Sequence, residues 1–299
     1  MRSRVAVDAD ELSTGIRISD LVELTKPRIN LMVVLTAGIG MLLASKGTLS
    51  IELVFHTLLG TALLSAGSSA LNQVIERDLD GLMRRTADRP LPAGRMSPDV
   101  ALFFGIAIAI GGLLELAIGA NLLTALLGAV ALAGYIFVYT PLKRVSSLAT
   151  VVGAVPGAIP PLMGWAAVDN QIGAGAWVLF GILFLWQLPH FLAIAWMCRE
   201  DYARAGFPML SVIEPDGRST ARQMILYGVA LLPVSLLPTI LGLTGITYFL
   251  GTLALGCFFL GFCVAFSLSF SHQAARRVLL ISVLYLPAVL VVMVLDRVV

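Results

Sequence analysis

Asn72, Glu76 and Asp80 stand four residues apart at the head of the stretch 72–92, NQVIERDLDGLMRRTADRPLP. On a helix such residues share one face, drifting by roughly 40° per step. An amide and two carboxylates on one face make a hard-oxygen set of the kind Mg²⁺ prefers. Directly beyond stand Arg84, Arg85, Arg89 and Arg95, with Pro90, Pro92 and Gly94 turning the chain. Guanidinium forks match phosphate oxygens, and Mg²⁺ bridges carboxylate to phosphate, so the segment reads as a site for a magnesium diphosphate. The plainer reading is a loop whose charges only set membrane topology. The regular spacing of the acids favours the site.

Further along, Glu200 and Asp201 offer a second pair of carboxylates that would face Glu76 and Asp80 and hold another magnesium or the same diphosphate. The alternative is an ordinary solvated loop. His190 follows Trp186-Gln-Leu-Pro189 inside an apolar run. An ionisable group at that depth is costly unless it faces the protein interior. Such a histidine either ligates iron or hydrogen-bonds across helices.

These residues need a scaffold, and composition says which kind. With 58% hydrophobic and 13% charged residues among 299, the chain has too little polar surface to cover a water-soluble globule. Its mean hydropathy is +0.93. Apolar runs long enough to cross ~30 Å of hydrocarbon predict an all-α bundle of about nine transmembrane helices. They cover approximately 29–45, 53–70, 100–118, 122–140, 148–168, 174–197, 224–243, 247–270 and 278–295. A cytoplasmic segment, 1–24, precedes a single transmembrane domain, 25–299.

Positive residues collect in alternate loops. One set holds Arg2, Arg4, Arg17, Lys26, Arg28, Arg77, Arg84, Arg85, Arg89, Arg95, Lys143, Arg144, Arg199, Arg204, Arg218, Arg222, Arg276 and Arg277; the other holds Lys46 and Arg297. The bias puts the N-terminus in the cytoplasm and the C-terminus outside. It also empties the net charge of +2 of meaning for partners, and no nucleic acid is expected. The start of the chain is polar and carries both signs of charge, so no cleaved signal is expected there and a bacterial plasma membrane is the expected location. Cys198, Cys257 and Cys263 show no zinc spacing and read as packing residues.

Every even-numbered helix then ends in a polar cluster on the cytoplasmic side, including Tyr-Thr-Pro-Leu-Lys143-Arg144 after the fourth and Arg-Glu-Asp-Tyr, 199–202, after the sixth. The cavity should therefore open toward the cytoplasm. The long connection 197–224 reads as a lid or binding segment. Between 150 and 165, VVGAVPGAIPPLMGW predicts a broken or kinked helix, which either makes room for a flat ligand or lets helices pack closely.

Four anchors in this chain resemble the heme O synthase (protoheme IX farnesyltransferase) family of the intramembrane prenyltransferase superfamily. They are Thr25-Lys-Pro-Arg28; Asn72-x3-Glu76-x3-Asp80 running on to Arg85, Arg89 and Pro90; Tyr139-Thr-x-Leu-Lys-Arg144 with Gly157-Ala-x-Pro-Pro161; and Trp186-Gln-x-Pro-His-Phe191 leading to Asp201-Tyr. The chain departs from the pattern at Glu76, where the family usually has Asp, at Cys198 and at Ala149. The resemblance implies nine helices around a central cavity and farnesyl transfer from farnesyl diphosphate to a vinyl group of heme b, completed by water. It implies Mg²⁺ on Asn72, Glu76 and Asp80 with Glu200 and Asp201 as the second acidic site. Diphosphate would be held by Arg28, Arg85, Arg89, Lys143 and Arg144, and the porphyrin would lie near His190. Heme A synthase or terminal oxidase assembly are the expected partners. A prenyltransferase for a quinone-precursor aromatic acid would share the diphosphate site, and a cation or metabolite transporter would instead need a polar path through both leaflets.

Overall fold

The computed structural model describes residues 17–298. Among them, nine helices are long and apolar enough to cross a membrane: Pro27–Ala44, Ile51–Asp80, Pro98–Gly119, Leu122–Leu142, Ala149–Asp169, Ala174–Met197, Arg218–Ile240, Ile246–Ser269 and His272–Leu295, numbered here spans 1 to 9. A short helix, Ile18–Leu24, precedes span 1. The rest of the predicted N-terminal segment, with Arg2 and Arg4, lies outside the described residues. The described residues contain one isolated bridge, Thr244 to Arg297, and otherwise no β-structure.

Hydropathy ends the second helix near residue 70, yet span 2 runs unbroken to Asp80. Its last turns bury one polar face, Asn72, Gln73, Glu76 and Asp80, while Ile75, Arg77 and Asp78 on the other face are exposed. A buried segment must satisfy its backbone internally, and continuing the helix does so. Span 9 likewise starts early, at His272, because the Ser271 hydroxyl accepts the amide of Ala274 at 3.1 Å and caps the first turn.

Most spans show a broad apolar face to the surroundings, as Phe103, Ile110, Phe258 and Leu284 illustrate. Span 5 is the exception: most of it is buried, so it forms the core of the bundle. It is broken as expected, dividing at Ile159 between Ala149–Ala158 and Pro160–Asp169. Pro160 and Pro161 have no amide hydrogen, so the helical bonds they would donate are missing and the helix is interrupted there.

Spans 2 and 3 pack closest where glycines face each other. A Cβ on Gly112 would lie 2.6 Å from the Leu64 nitrogen and 2.8 Å from the Gly60 carbonyl oxygen, and one on Gly67 would lie 2.8 Å from the Gly105 oxygen. Without a hydrophobic drive between helices in lipid, such close backbone contact is a main source of association. Toward one end of the pair, His56 Nδ1 meets Glu115 Oε1 at 2.7 Å, a polar contact between the two helices. Gly112→Val should lower stability by ~1–3 kcal/mol through overpacking. Gly111→Ala, one residue away in open space, should change it by less than ~0.5 kcal/mol. Thermal unfolding of the two variants in one detergent checks the contrast, and equal melting temperatures would contradict this packing.

Candidate active site

Asn72, Glu76 and Asp80 form three rungs on the buried face of span 2, and each is met by a cation from a different part of the chain. Lys26 Nζ donates to Asn72 Oδ1 at 3.2 Å, and the Asn72 amide donates to Thr140 Oγ1 at 3.3 Å. Lys143 Nζ donates to both oxygens of Glu76, at 3.1 and 3.0 Å. Arg89 Nη1 donates to Asp80 Oδ2 at 2.6 Å. The spacing seen in sequence has become a ladder of alternating charge.

Each cation is delivered by a local device. Lys26 has a left-handed backbone, φ 48°, immediately before Pro27 opens span 1, and this turns its side chain off the helix path. The preceding short helix is fixed by Gln73 Nε2 donating to the Leu24 carbonyl at 2.9 Å. Arg95 clasps the same helix, donating to Asp20 Oδ1 at 2.9 Å and Glu23 Oε2 at 2.8 Å while holding the Asp88 carbonyl at 2.6 Å. Lys143 follows a π-helical turn, Gly134–Tyr139, at the end of span 4, where Thr140 Oγ1 donates to the Tyr135 carbonyl at 2.8 Å. Arg89 sits in the loop after span 2, which starts with Thr86 Oγ1 donating to the Asp80 carbonyl at 2.8 Å.

The connection between spans 6 and 7 closes over this ladder. It carries two short helices, Arg199–Arg204 and Leu210–Ile213. Met83 from the loop after span 2 packs with Tyr202, Phe207 and Met209, so the two loops share a small apolar core. Asp201 stitches them together: its carboxylate accepts the amides of Arg84 and Arg85 at 3.3 and 3.4 Å and the Arg204 guanidinium at 3.0 Å. Arg85 donates to Tyr202 OH at 3.1 Å and stacks over its ring at 5.1 Å. Lys143 Nζ lies 4.6 Å from the Phe207 ring centre, within cation–π range.

Lys26 and Asp201, both outside the spans, are among the side chains shifted by these surroundings. Burial, and then the nearby Arg89 charge, push Lys26 down to about 8 against the pull of Glu76 and Asp80. Burial would raise the Asp201 carboxyl, but the Arg84 and Arg85 amides and Arg204 outweigh it and hold the carboxyl below its ordinary value.

Of the residues singled out in sequence, Asn72, Glu76, Asp80, Arg85, Arg89, Lys143 and Asp201 belong to this one constellation. Arg28 is exposed on the first turn of span 1 and has no polar partner among the described residues. Arg144 donates to the Ile75 carbonyl at 2.7 Å, on the solvent side of span 2. Glu200 is exposed beside Asp201 and makes no polar contact among the described residues. His190 is engaged elsewhere, with Ser282 of span 9 at 2.7 Å. The structure adds Lys26, Thr140 and Tyr202, whose signals were a residue forced off-helix by a following proline and two hydroxyls flanking charged motif positions. Cys198, Cys257 and Cys263 are free thiols.

No group of three or more His, Cys, Asp or Glu side chains among the described residues makes an all-protein metal cage. The donor set fits Mg²⁺ in its other common form, one or two carboxylates completed by phosphate oxygens. Glu76 and Asp80, one helical turn apart on a buried face, supply that pair.

The model of the UbiA prenyltransferase family matches residues 33–287. The chain is similar to the protoheme IX farnesyltransferases of Solibacter usitatus, 50% identical with 93% of this chain and 98% of that one covered, and of Myxococcus xanthus, 47% identical with 94% and 95% covered. Among solved structures, it shares the fold of a digeranylgeranylglyceryl phosphate synthase at a TM-score of 0.78 and 17% identity, covering 93% and 98% of the two chains. A UbiA homologue from Archaeoglobus fulgidus, bound to GPP and Mg²⁺, matches at a TM-score of 0.65 and 16% identity, covering 92% and 99%.

Removing one partner of a buried ion pair strands the other, at a cost of ~3–5 kcal/mol. Lys143→Met should therefore lose stability on that scale, and adding Glu76→Gln should recover most of it without recovering activity. A melting series over the single and double variants reads the coupling; additive losses would show that the pair is not coupled. Arg95→Ala should raise KM for the diphosphate substrate by about tenfold with kcat changed less, because it frees the helix that presents Lys26. Steady-state kinetics with an unchanged KM would remove Arg95 from that role.

Proposed function

The chain belongs to the UbiA prenyltransferase family, and we propose on that premise that it transfers a farnesyl group from farnesyl diphosphate to a vinyl group of heme b. The allylic carbon–oxygen bond breaks, diphosphate departs with the bonding electrons, and the farnesyl carbon bonds to the vinyl terminus. Water adds to the neighbouring carbon and loses a proton, leaving the hydroxyethylfarnesyl side chain of heme O. The observation that carries this reading is the charge ladder on span 2, in which each buried acid already faces a cation, in a chain so similar to farnesyltransferases of that acceptor.

Glu76 and Asp80, with the Asn72 amide beside them, are the residues that would hold Mg²⁺, which when bound supplies positive charge to the departing diphosphate; Asp201 instead braces the arginine loop and Glu200 stays exposed. Arg85, Arg89, Lys143 and Lys26 take its oxygens, and Arg28 and Arg144, exposed nearby, draw the anion in. Fixed charges aimed at a leaving group act without reorganising during the reaction, and this is the dominant catalytic contribution. The short apolar core of Met83, Tyr202 and Phe207 excludes water from the cationic farnesyl carbon until the vinyl group has reacted. Alignment of the vinyl group comes second in weight.

In this reading the domain spans 25–299 and its mouth opens to the cytoplasm of a bacterial cell, with the N-terminus inside and the C-terminus outside the plasma membrane. The support is electrostatic. The arginine-rich loops gather at the ladder end, while Arg297 reaches the Ser45 carbonyl, beside Lys46. The product would pass to heme A synthase or to terminal oxidase assembly.

Purified protein supplied with farnesyl diphosphate and either heme b or hydroxybenzoate should give a mass shift on the heme alone, and farnesylated hydroxybenzoate would overturn the acceptor. Asp80→Ala should cut product formation by at least ~10²-fold while the protein still melts cooperatively. Near-normal turnover by that variant would refute the diphosphate site.

A further inference from the structure

Away from the charged mouth, His190 and Trp186 of span 6 both bind one residue of span 9. The Trp186 indole Nε1 donates to the Ser282 carbonyl at 2.8 Å, and His190 Nδ1 lies 2.7 Å from Ser282 Oγ. The two rings, one helical turn apart, stack at 5.1 Å between centroids. Counting protons fixes the tautomer. A serine hydroxyl has one hydrogen, and the Ser282 hydroxyl gives it to the Leu279 carbonyl at 2.7 Å. Toward His190 it can only accept, so Nδ1 carries the imidazole hydrogen. Nε2 is then left with a lone pair; it has no hydrogen-bond partner among the described residues and is not sealed from the surroundings. A bare imidazole lone pair is expensive in lipid and is tolerated where it faces an interior cavity or a ligand.

We propose that Ser282 is a positioning residue for the acceptor: it fixes His190 in the Nδ1–H form and presents Nε2 to the iron of the metalloporphyrin substrate. This rests on the farnesyl-to-heme reading above and adds the pair that orients the acceptor. An imidazole that donates from Nδ1 to an oxygen is a stronger ligand through Nε2, and its ring plane is set by that bond. Trp186, stacked on the imidazole face, limits the rotation of the ring. Serine's single hydrogen is what selects the tautomer.

The test compares Ser282→Ala, Ser282→Thr and His190→Ala with the unaltered protein. Each is titrated with heme b, examined by resonance Raman as the ferrous complex, and assayed for binding of inorganic pyrophosphate with Mg²⁺. Ser282→Ala should weaken heme binding by about tenfold and move the iron–histidine stretch to lower frequency. Ser282→Thr, which keeps the hydroxyl, should restore both. His190→Ala should abolish the stretch. Pyrophosphate binding should stay constant across the series. A stretch unchanged in Ser282→Ala, or retained in His190→Ala, overturns the proposal. If the unaltered protein farnesylates heme and the stretch behaves in this overturning way, only the orienting pair is lost; if it farnesylates no heme at all, the functional reading fails and this inference falls with it.

Discussion

A charge buried within a membrane protein must be paired, and the mouth of this bundle is arranged around that rule. Glu76 and Lys143 are both buried, at 3% and 6% exposure, and each is the other's partner at 3.0 Å. The same rule ties the two parts of the proposed substrate together. A diphosphate alone would take Lys143 and Arg89 and leave two carboxylates bare. A divalent cation alone would take the carboxylates and leave the cations unpaired. Only the two together keep every buried charge matched, so a magnesium diphosphate suits the ladder better than either component.

Pairing also explains why cations come from so many segments. Lys26 arrives ahead of span 1, Lys143 after span 4, Arg85 and Arg89 from the loop after span 2, and the Asp201 stitch from the loop after span 6. No one helix could offer acids and bases in this geometry, because its own side chains diverge around the axis. Shared packing of Met83 with Tyr202 and Phe207 makes the two loops a joint lid. Asp201 acts inside that lid through backbone amides, which fixes where the arginine side chains begin.

The nine spans were legible in sequence because lipid enforces long apolar runs whatever the fold. The end of span 2 was not, since hydropathy falls exactly where burial of Asn72, Glu76 and Asp80 begins to hold the helix together. Their spacing revealed the shared face, but not which cation meets which acid. Lys26 and Arg28 are two residues apart in one motif, and a left-handed φ at Lys26 decides that Lys26 bonds Asn72 while Arg28 stays exposed. Glu200 and Asp201 look equivalent in sequence. On a helix neighbours point roughly 100° apart, and Asp201 alone turns toward the arginine loop. The break in span 5 was readable from its prolines; the insertion of Gln187 against Gly157, where any Cβ would collide, was not.

The polar groups of the interior sort by charge along the membrane normal. Lys26, Arg85 and Arg89 lie at or beyond helix ends, and Glu76 and Asp80 occupy the last turns of span 2. Farther in come neutral groups: Gln187, which donates to the Ala154 and Leu183 carbonyls, and the Trp186–His190–Ser282 trio, seven or more residues from the end of span 6 and so roughly 10 Å deeper. The cost of a full charge rises with depth while that of a hydrogen-bonded neutral group rises far less. That gradient orients the reaction. In the proposed reaction the anionic leaving group would be held where charge is cheap, the apolar chain would extend inward, and the flat acceptor would meet neutral donors and acceptors. Reversing the two substrates would place diphosphate among groups that cannot neutralise it, so the proposed direction of binding obeys the same rule that pairs Glu76 with Lys143.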